Sequence, residues 1–251
     1  MMHDFLQTPY IPHKNVTSVL LDYRADEDIV AALGSLDIEV LNTARCGELY
    51  AAIDGHPDIV MHHVCGNKIV VAPNVFDRLE PVLSKKGFAM TKGSTWLIRK
   101  YPGNIAYNVL RIGSTAFHNT RYTDRKILEE YERNGIKTVH INQGYSKCSV
   151  CIVNEKAIIT SDVKIAGLAE KYGIESLLIK PGGIELEGLD YGFIGGASGL
   201  LSHDIMGFSG KLERIEEHDK ILSFLASKGI SVKILSEKQI VDIGSIIPLT
   251  C

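Results

Sequence analysis

Two cysteines, one histidine and a few aspartates have the types and spacing in this sequence to do chemistry. Cys148-Ser149-Val150-Cys151 has the CxxC spacing of zinc and redox sites, but no second CxxC or histidine pair follows at ligand spacing. The β-branched Ile152-Val153 that follows reads as a strand, where positions i and i+3 point to opposite faces. Two thiols on opposite faces cannot share a metal or readily form a disulfide. One is therefore expected in the core and the other free for chemistry, which leaves a redox role the minor reading. His56-Pro57-Asp58 precedes Ile59-Val60-Met61. In an extended segment this histidine and carboxylate project into one site, although a turn leading into a strand has the same residues. Taken singly, Asp190 in Leu189-Asp190-Tyr191-Gly192 and Asp242 in Asp242-Ile243-Gly244-Ser245 are ordinary turn residues, and their meaning depends on whether they meet. Ser202-His203-Asp204 supplies triad residue types, but adjacent side chains diverge, and it reads as a polar loop. The glycine cluster from Gly192 to Gly199 fits neither a dinucleotide loop nor a nucleophile elbow and reads as close strand packing.

A repeated unit must position these residues. Apolar residues at helical spacing recur five times, in Ile29-Val30-Leu33, Leu79-Val82-Leu83, Ile127-Leu128-Tyr131, Ile165-Leu168-Ala169-Tyr172 and Ile221-Leu222-Leu225. Four of the five stop at a glycine followed by an apolar residue, at Gly87, Gly135, Gly173 and Gly229, while the first stops at Asp37-Ile38. Between them lie β-branched runs that read as hairpins, and Cys65-Gly66-Asn67-Lys68-Ile69-Val70 lies directly over Val153-Asn154-Glu155-Lys156-Ala157-Ile158. The last unit ends soon after its hairpin would start, and the chain opens with an orphan strand, Thr17 to Leu21. The expected architecture is thus α/β, one domain over 1–251. It is a fivefold pseudo-symmetric, propeller-like ring of ββαβ units closed by the N-terminal strand, in preference to a solenoid.

Composition narrows the function. In 251 residues, 27 Lys+Arg against 30 Asp+Glu give a formal charge of −3, which argues against nucleic acid or an anionic membrane surface as partner. The opening Met1-Met2-His3-Asp4 lacks the charge and apolar run of a leader, and no apolar run reaches the roughly 18 residues of a membrane span. Five scattered cysteines do not make a disulfide framework. A soluble, cytoplasmic protein is expected.

Together these residues resemble the pentein superfamily, the guanidine-modifying enzymes that include dimethylarginine dimethylaminohydrolase, arginine and agmatine deiminases and amidinotransferases. The match improves when the chain is read as a circular permutation. The stretch Gly144-Tyr145-Ser146-Lys147-Cys148-Ser149-Val150-Cys151-Ile152 looks like the C-terminal cysteine strand of the dimethylarginine hydrolases, and His56-Pro57-Asp58 like the family's His-x-Asp pair. Tyr101 to Leu110 is similar to the family's intervening Ala-Asn-containing strand. Asp190 then stands for the early carboxylate and Asp242 for the Gly-Gly-Asp motif, with Ser245 in place of the second acid and Lys147 beside the nucleophile.

The resemblance implies Cys148 as nucleophile, His56 as general acid and base, and Asp58, Asp190 and Asp242 as ligands of a guanidinium or amidinium. Carboxylates suit its N–H edges through paired, charge-assisted hydrogen bonds. A thiolate suits its weakly electrophilic carbon and passes through a thiouronium-type intermediate, with Lys147 or the bound cation favouring the ionised thiol. No metal or organic cofactor is needed. The implied function is a Cys-dependent hydrolase or amidinotransferase-like enzyme, and the alternative a catalytically silent binding ring such as the ribosome anti-association factor. Asp242 is expected to matter more to binding than to folding.

Overall fold

Five helices end in the same way, which shows the repeat at the level of single hydrogen bonds. In the computed structural model, which describes residues 4–251, these helices are α1 (Glu27–Gly34), α3 (Phe76–Ser84), α4 (Arg125–Arg133), α5 (Val163–Lys171) and α6 (His218–Ser227). The opening Met1-Met2-His3 lies outside the described residues. At each C-terminus the amide of the apolar residue reaches back to the last turn, with Ile38 on Leu33, Phe88 on Leu83, Ile136 on Tyr131, Ile174 on Ala169 and Ile230 on Leu225. The residue before it takes positive φ, which is the reason for glycine at four of these stops. Asp37 does the same at φ 58°, so the exception in sequence is none in geometry. Asp26, Asp124 and Asp162 cap three of the N-termini by accepting backbone N–H bonds.

Each helix connects two parallel strands of a three-stranded sheet. The sheets are β3 (Met61–Cys65), β4 (Lys68–Val71) and β5 (Ala89–Lys92); β6 (Leu110–Ile112), β7 (Thr115–His118) and β8 (Lys137–His140); β9 (Val150–Asn154), β10 (Ala157–Thr160) and β11 (Glu175–Leu178); and β12 (Ser198–Leu200), β13 (Ile205–Phe208) and β14 (Ser231–Ile234). In each the first two strands form an antiparallel hairpin, and the third returns parallel to the second. The fifth sheet joins the two ends of the chain. Its β1 (Ser18–Leu21) lies between β15 (Ile247–Thr250), antiparallel, and β2 (Glu39–Asn42), parallel. The orphan strand thus finds its partner at the C-terminus, and Val19, Leu20 and Leu21 are fully buried there. The five sheets remain separate, so no barrel closes.

Burial follows the unit. The hairpin strands are largely buried, whereas the third strands are mostly exposed or half-buried. Cys151 lies on β9 in the apolar cluster with Met206 and Phe208, and Cys148 lies in the turn before that strand, in a different cluster. The two thiols separate as expected, although by leaving the strand rather than by facing opposite ways along it. Ser202-His203-Asp204 is a surface loop held by a Ser202 to Asp204 hydrogen bond.

Candidate active site

Apart from Asp190, the site residues singled out from sequence lie in equivalent places, the turns that enter the first strand of each sheet. His56 and Asp58 precede β3, Asn108 precedes β6, Lys147 and Cys148 precede β9, Gly195 and Gly196 precede β12, and Asp242 to Ser245 precede β15. Hydrogen bonds join these turns head to tail. Asn108 Nδ2 donates to the Asp58 carbonyl (3.0 Å) and its Oδ1 accepts from Lys147 N (2.8 Å), Gly196 N donates to the Cys148 carbonyl (3.0 Å), Ser245 N to the Gly196 carbonyl (2.7 Å) and Asp58 N to the Gly244 carbonyl (3.3 Å). Glycine is required where the turns approach. A Cβ at Gly196 would meet Asp242 Oδ1 at 2.0 Å, one at Gly195 would meet the Val150 carbonyl at 2.2 Å, and one at Gly244 would meet His56 Cβ at 2.3 Å. This is the close packing expected of the glycine cluster. Ser245 holds φ 80°, an unusual value for a non-glycine residue, and is fixed there by its side-chain bonds.

Cys148, Asp58, His56 and Asp242 come together, all nearly out of solvent. Cys148 Sγ lies 3.1 Å from Asp58 Oδ2 and donates to it, and Asn108 Nδ2 donates to Sγ at 2.9 Å. Ser245 Oγ donates to the same Asp58 oxygen at 2.6 Å, and Lys147 Nζ donates to Ser245 Oγ at 2.9 Å and to the Gly195 carbonyl at 3.2 Å, with the Tyr10 ring 5.2 Å away. His56 is not in an extended segment. It caps a single turn of helix, α2 (Pro57–Val60), with Pro57 in the first turn, where its missing N–H costs nothing. Its Nδ1 stands 3.8 Å from Asp242 Oδ1 and its Nε2 3.9 Å from Asp22 Oδ2, near enough for ion pairing but not for hydrogen bonds. Among the described residues His56 Nδ1 and Asp58 Oδ1 are buried without a hydrogen-bond partner, a cost of roughly 1–3 kcal/mol each that a ligand can relieve.

Burial sets the protonation states. It lowers the His56 pKa, against the pull of Asp242 and Asp22, so the imidazole is neutral. It raises Asp58 to about 6, against Lys147 and the Ser245 and Cys148 bonds, and raises Asp242, against His56. Burial also pushes the Cys148 thiol well up, helped by Asp58 and Asp242, and Lys147 does not offset this. Burial thus disfavours the accessible, partly ionised thiol expected of a nucleophile. Cys148 rests as a thiol, and added positive charge is what would ionise it.

A cavity of about 280 Å³ opens onto this group, with Cys148, His56 and Asp242 among its lining. Asp190 lies on its rim, exposed, and among the described residues no hydrogen bond or ion pair holds its carboxylate. A larger groove of about 730 Å³ shares Asp190 but contains neither the cysteine nor the histidine. Asp242 accepts from Phe193 N (2.8 Å) and Gly244 N (3.0 Å), so it also organises two loops. The sequence reading missed Asp22 as the second acid beside His56, because an aspartate after a strand has no distinguishing pattern, and it did not single out Asn108 within its stretch. No group of three or more His, Cys, Asp or Glu among the described residues is placed to hold a metal ion.

A family model described as a family of unknown function (DUF6873) matches residues 20–247. The chain belongs to that family. No curated protein matches the DUF6873 chain in sequence. Solved structures do match it in fold. An inosamine-phosphate amidinotransferase from Streptomyces griseus has TM-score 0.59 at 11% identity, covering 92% of this chain and 91% of its own. A dimethylarginine dimethylaminohydrolase from Pseudomonas aeruginosa has 0.57 at 9%, covering 88% and 92%. An agmatine deiminase from C. jejuni has 0.53 at 10%, covering 92% and 91%. The DUF6873 chain has the pentein fold, and these neighbours are enzymes that modify guanidino groups. No helix of the described residues is long and apolar enough to cross a membrane.

Proposed function

We propose that this protein is a Cys-dependent hydrolase or amidinotransferase acting on a small guanidino or amidino compound. The observation that carries the reading is the joining of Cys148 to Asp58 and Asn108 beside a neutral His56, on a cavity whose described lining holds no other thiol and no serine, threonine or lysine. The five sheets are taken to stand as a ring around this site, in a chain order rotated relative to its structural neighbours. The pairing of β1 with β15 and the hydrogen-bonded circuit of turns support that arrangement. Deleting residues 1–21 would remove the middle strand of the joining sheet and should prevent a cooperative melt.

In this reading the cationic head lies against Asp242 and the free Oδ1 of Asp58, and its charge favours the Cys148 thiolate. Neutral His56 takes the thiol proton as Sγ attacks the central carbon. It then gives that proton to the departing nitrogen, which leaves as a neutral amine. The amidino group remains on sulfur as a thiouronium. Water, deprotonated by His56, or an acceptor amine displaces it and restores the thiol. Asp190, exposed at the rim, would meet the substrate only at its outer end.

The test is incubation with a panel of guanidino and amidino compounds, following amine release and the intact mass of the protein. Release of amine with a transient amidino adduct on Cys148 is expected. Binding without release or adduct would make the chain a silent pentein-fold binding protein, and no binding by any member would remove the guanidine reading.

A further inference from the structure

The cavity is polar at its floor and apolar at its walls. Above Cys148, His56 and Asp242 stand Tyr50, Tyr145, Phe193, Tyr191, Leu186 and Leu189. The Tyr50 and Tyr145 hydroxyls are 3.3 Å apart, one donating to the other, and their rings offer contact surface. Phe193 links this pair to the rim, 6.4 Å from the Tyr145 ring and 6.3 Å from that of Tyr191, edge to face. Tyr191 and Leu189 are 40% and 50% exposed, so among the described residues the apolar wall runs out to solvent uncovered.

Positive charge is missing from this wall. Among the described residues no lysine or arginine lines the cavity. Three cations stand nearby and are committed elsewhere, among them Arg214 in the adjoining groove, which pairs with Glu185 at 3.6 Å. Lys147 Nζ is turned to Ser245, Gly195 and Tyr10, and Arg24 forks onto both oxygens of Asp22 and also donates to the Ala52 carbonyl. The charges that do face the cavity are Asp242 and, at the rim, Asp190. A carboxylate on the substrate tail would lose its hydration against aromatic rings and meet carboxylates of its own sign. An amine at the tail would gain little, because Asp190 is exposed and solvent screens such a pair.

We propose that the substrate is a monosubstituted guanidine or amidine with a short, uncharged apolar or aromatic tail and no carboxylate, held between the Tyr145–Phe193 wall and the Leu189–Tyr191 rim. This rests on the guanidine reading for the head and adds the chemistry of the tail. The volume of about 280 Å³, at the small end for ligand cavities, keeps that tail to a few carbons or one ring.

Calorimetric titration of the full chain tests it with guanidinium, methylguanidine, pentylguanidine, phenethylguanidine, agmatine and arginine. Agmatine and arginine differ by one carboxylate, which isolates its effect. Phenethylguanidine is expected to bind at least about tenfold tighter than arginine, with agmatine between them. In a Leu189→Ala/Tyr191→Ala variant, altered only at exposed positions, the advantage of phenethylguanidine over methylguanidine should shrink several-fold. Arginine binding as tightly as phenethylguanidine, or an advantage unchanged in the variant, would overturn the tail assignment while the guanidine reading stood. No binding even of methylguanidine and guanidinium would overturn the guanidine reading and this assignment with it.

Discussion

His56 and His62 stand on either side of the short helix α2, both almost wholly out of solvent, and burial lowers the pKa of both. Their surroundings differ in completeness. His62 on β3 is bonded at both nitrogens, Nδ1 to the Tyr10 hydroxyl (3.5 Å) and Nε2 to that of Tyr131 (2.5 Å). Nearby Arg111 is closed onto the Val64 and Gly113 carbonyls. His56 instead lies between two carboxylates at ion-pair distance, with Nδ1 unpaired and a cavity in front of it. A perturbed pKa is common to both, so it does not mark the site. Unmet hydrogen-bonding capacity beside a cavity does, because only a ligand can then offset the cost of burial.

The comparison breaks most visibly on function. Cys148→Ser should abolish amine release and the protein adduct. His56→Gln should cost about 10²–10⁴-fold in turnover, each with a melting temperature close to that of wild type. His62→Leu should do the reverse. It strands two buried tyrosine hydroxyls at about 1–3 kcal/mol each, lowering the melting temperature by several degrees while turnover of the folded protein persists. A folded but inactive His62→Leu protein would end the distinction between the two histidines.

Asp242→Asn sharpens it further, because Asp242 belongs to both categories. An amide has one acceptor oxygen for the Phe193 and Gly244 N–H groups, so stability should fall by about 1 kcal/mol. Loss of the charge beside a bound cation should weaken guanidine binding about tenfold or more, read by the same titration. Equal affinity in the two proteins would confine Asp242 to the structural role.

The dependence on pH follows from Asp58, whose carboxyl is raised to about 6. A cation requires its ionised form, so methylguanidine affinity should be level above that value and decline up to about tenfold per unit as pH falls through it. For the unliganded chain the sign is opposite. A raised carboxyl favours folding at low pH, and that contribution is lost as pH rises from about 4 to about 6. A bound cation should therefore raise the melting temperature more at about pH 8 than at about pH 5. Lys147→Met should move the midpoint upward, since Lys147 holds Asp58 down, and an unmoved midpoint would separate the two residues.

The smallest difference concerns thiols. Neutral iodoacetamide should label Cys65, the half-exposed cysteine, ahead of Cys148, because Cys148 is buried and un-ionised. A chloroacetamidine carries its own positive charge and should shift labelling toward Cys148. Labelling of Cys148 at the same relative rate by both reagents would remove the need for a cation.

Much of the fold was legible because its signals are local. Helical spacing closed by a glycine and an apolar residue states the five-helix repeat, and β-branched runs around Gly66-Asn67 and Glu155 state the hairpins. Even the pairing of the first strand with the last followed from counting an unpaired strand at one end against a missing one at the other. The turns were less legible. His56 lies on a helical turn rather than an extended segment because proline at the next position is as compatible with a first helical turn as with a strand entry.

The sequence by itself therefore determined the repeating unit, its number and the residue types able to attack and hold a cation. Tertiary structure alone decided which of those residues meet. It joined Cys148 to an aspartate 90 positions away, brought Asp22 rather than Asp190 beside His56, and put Asn108 and Ser245 between the acid and its neighbours. It also decided their charge, because desolvation depends on what surrounds a group and not on its chain neighbours, and a thiol written as a nucleophile in sequence is held protonated by burial.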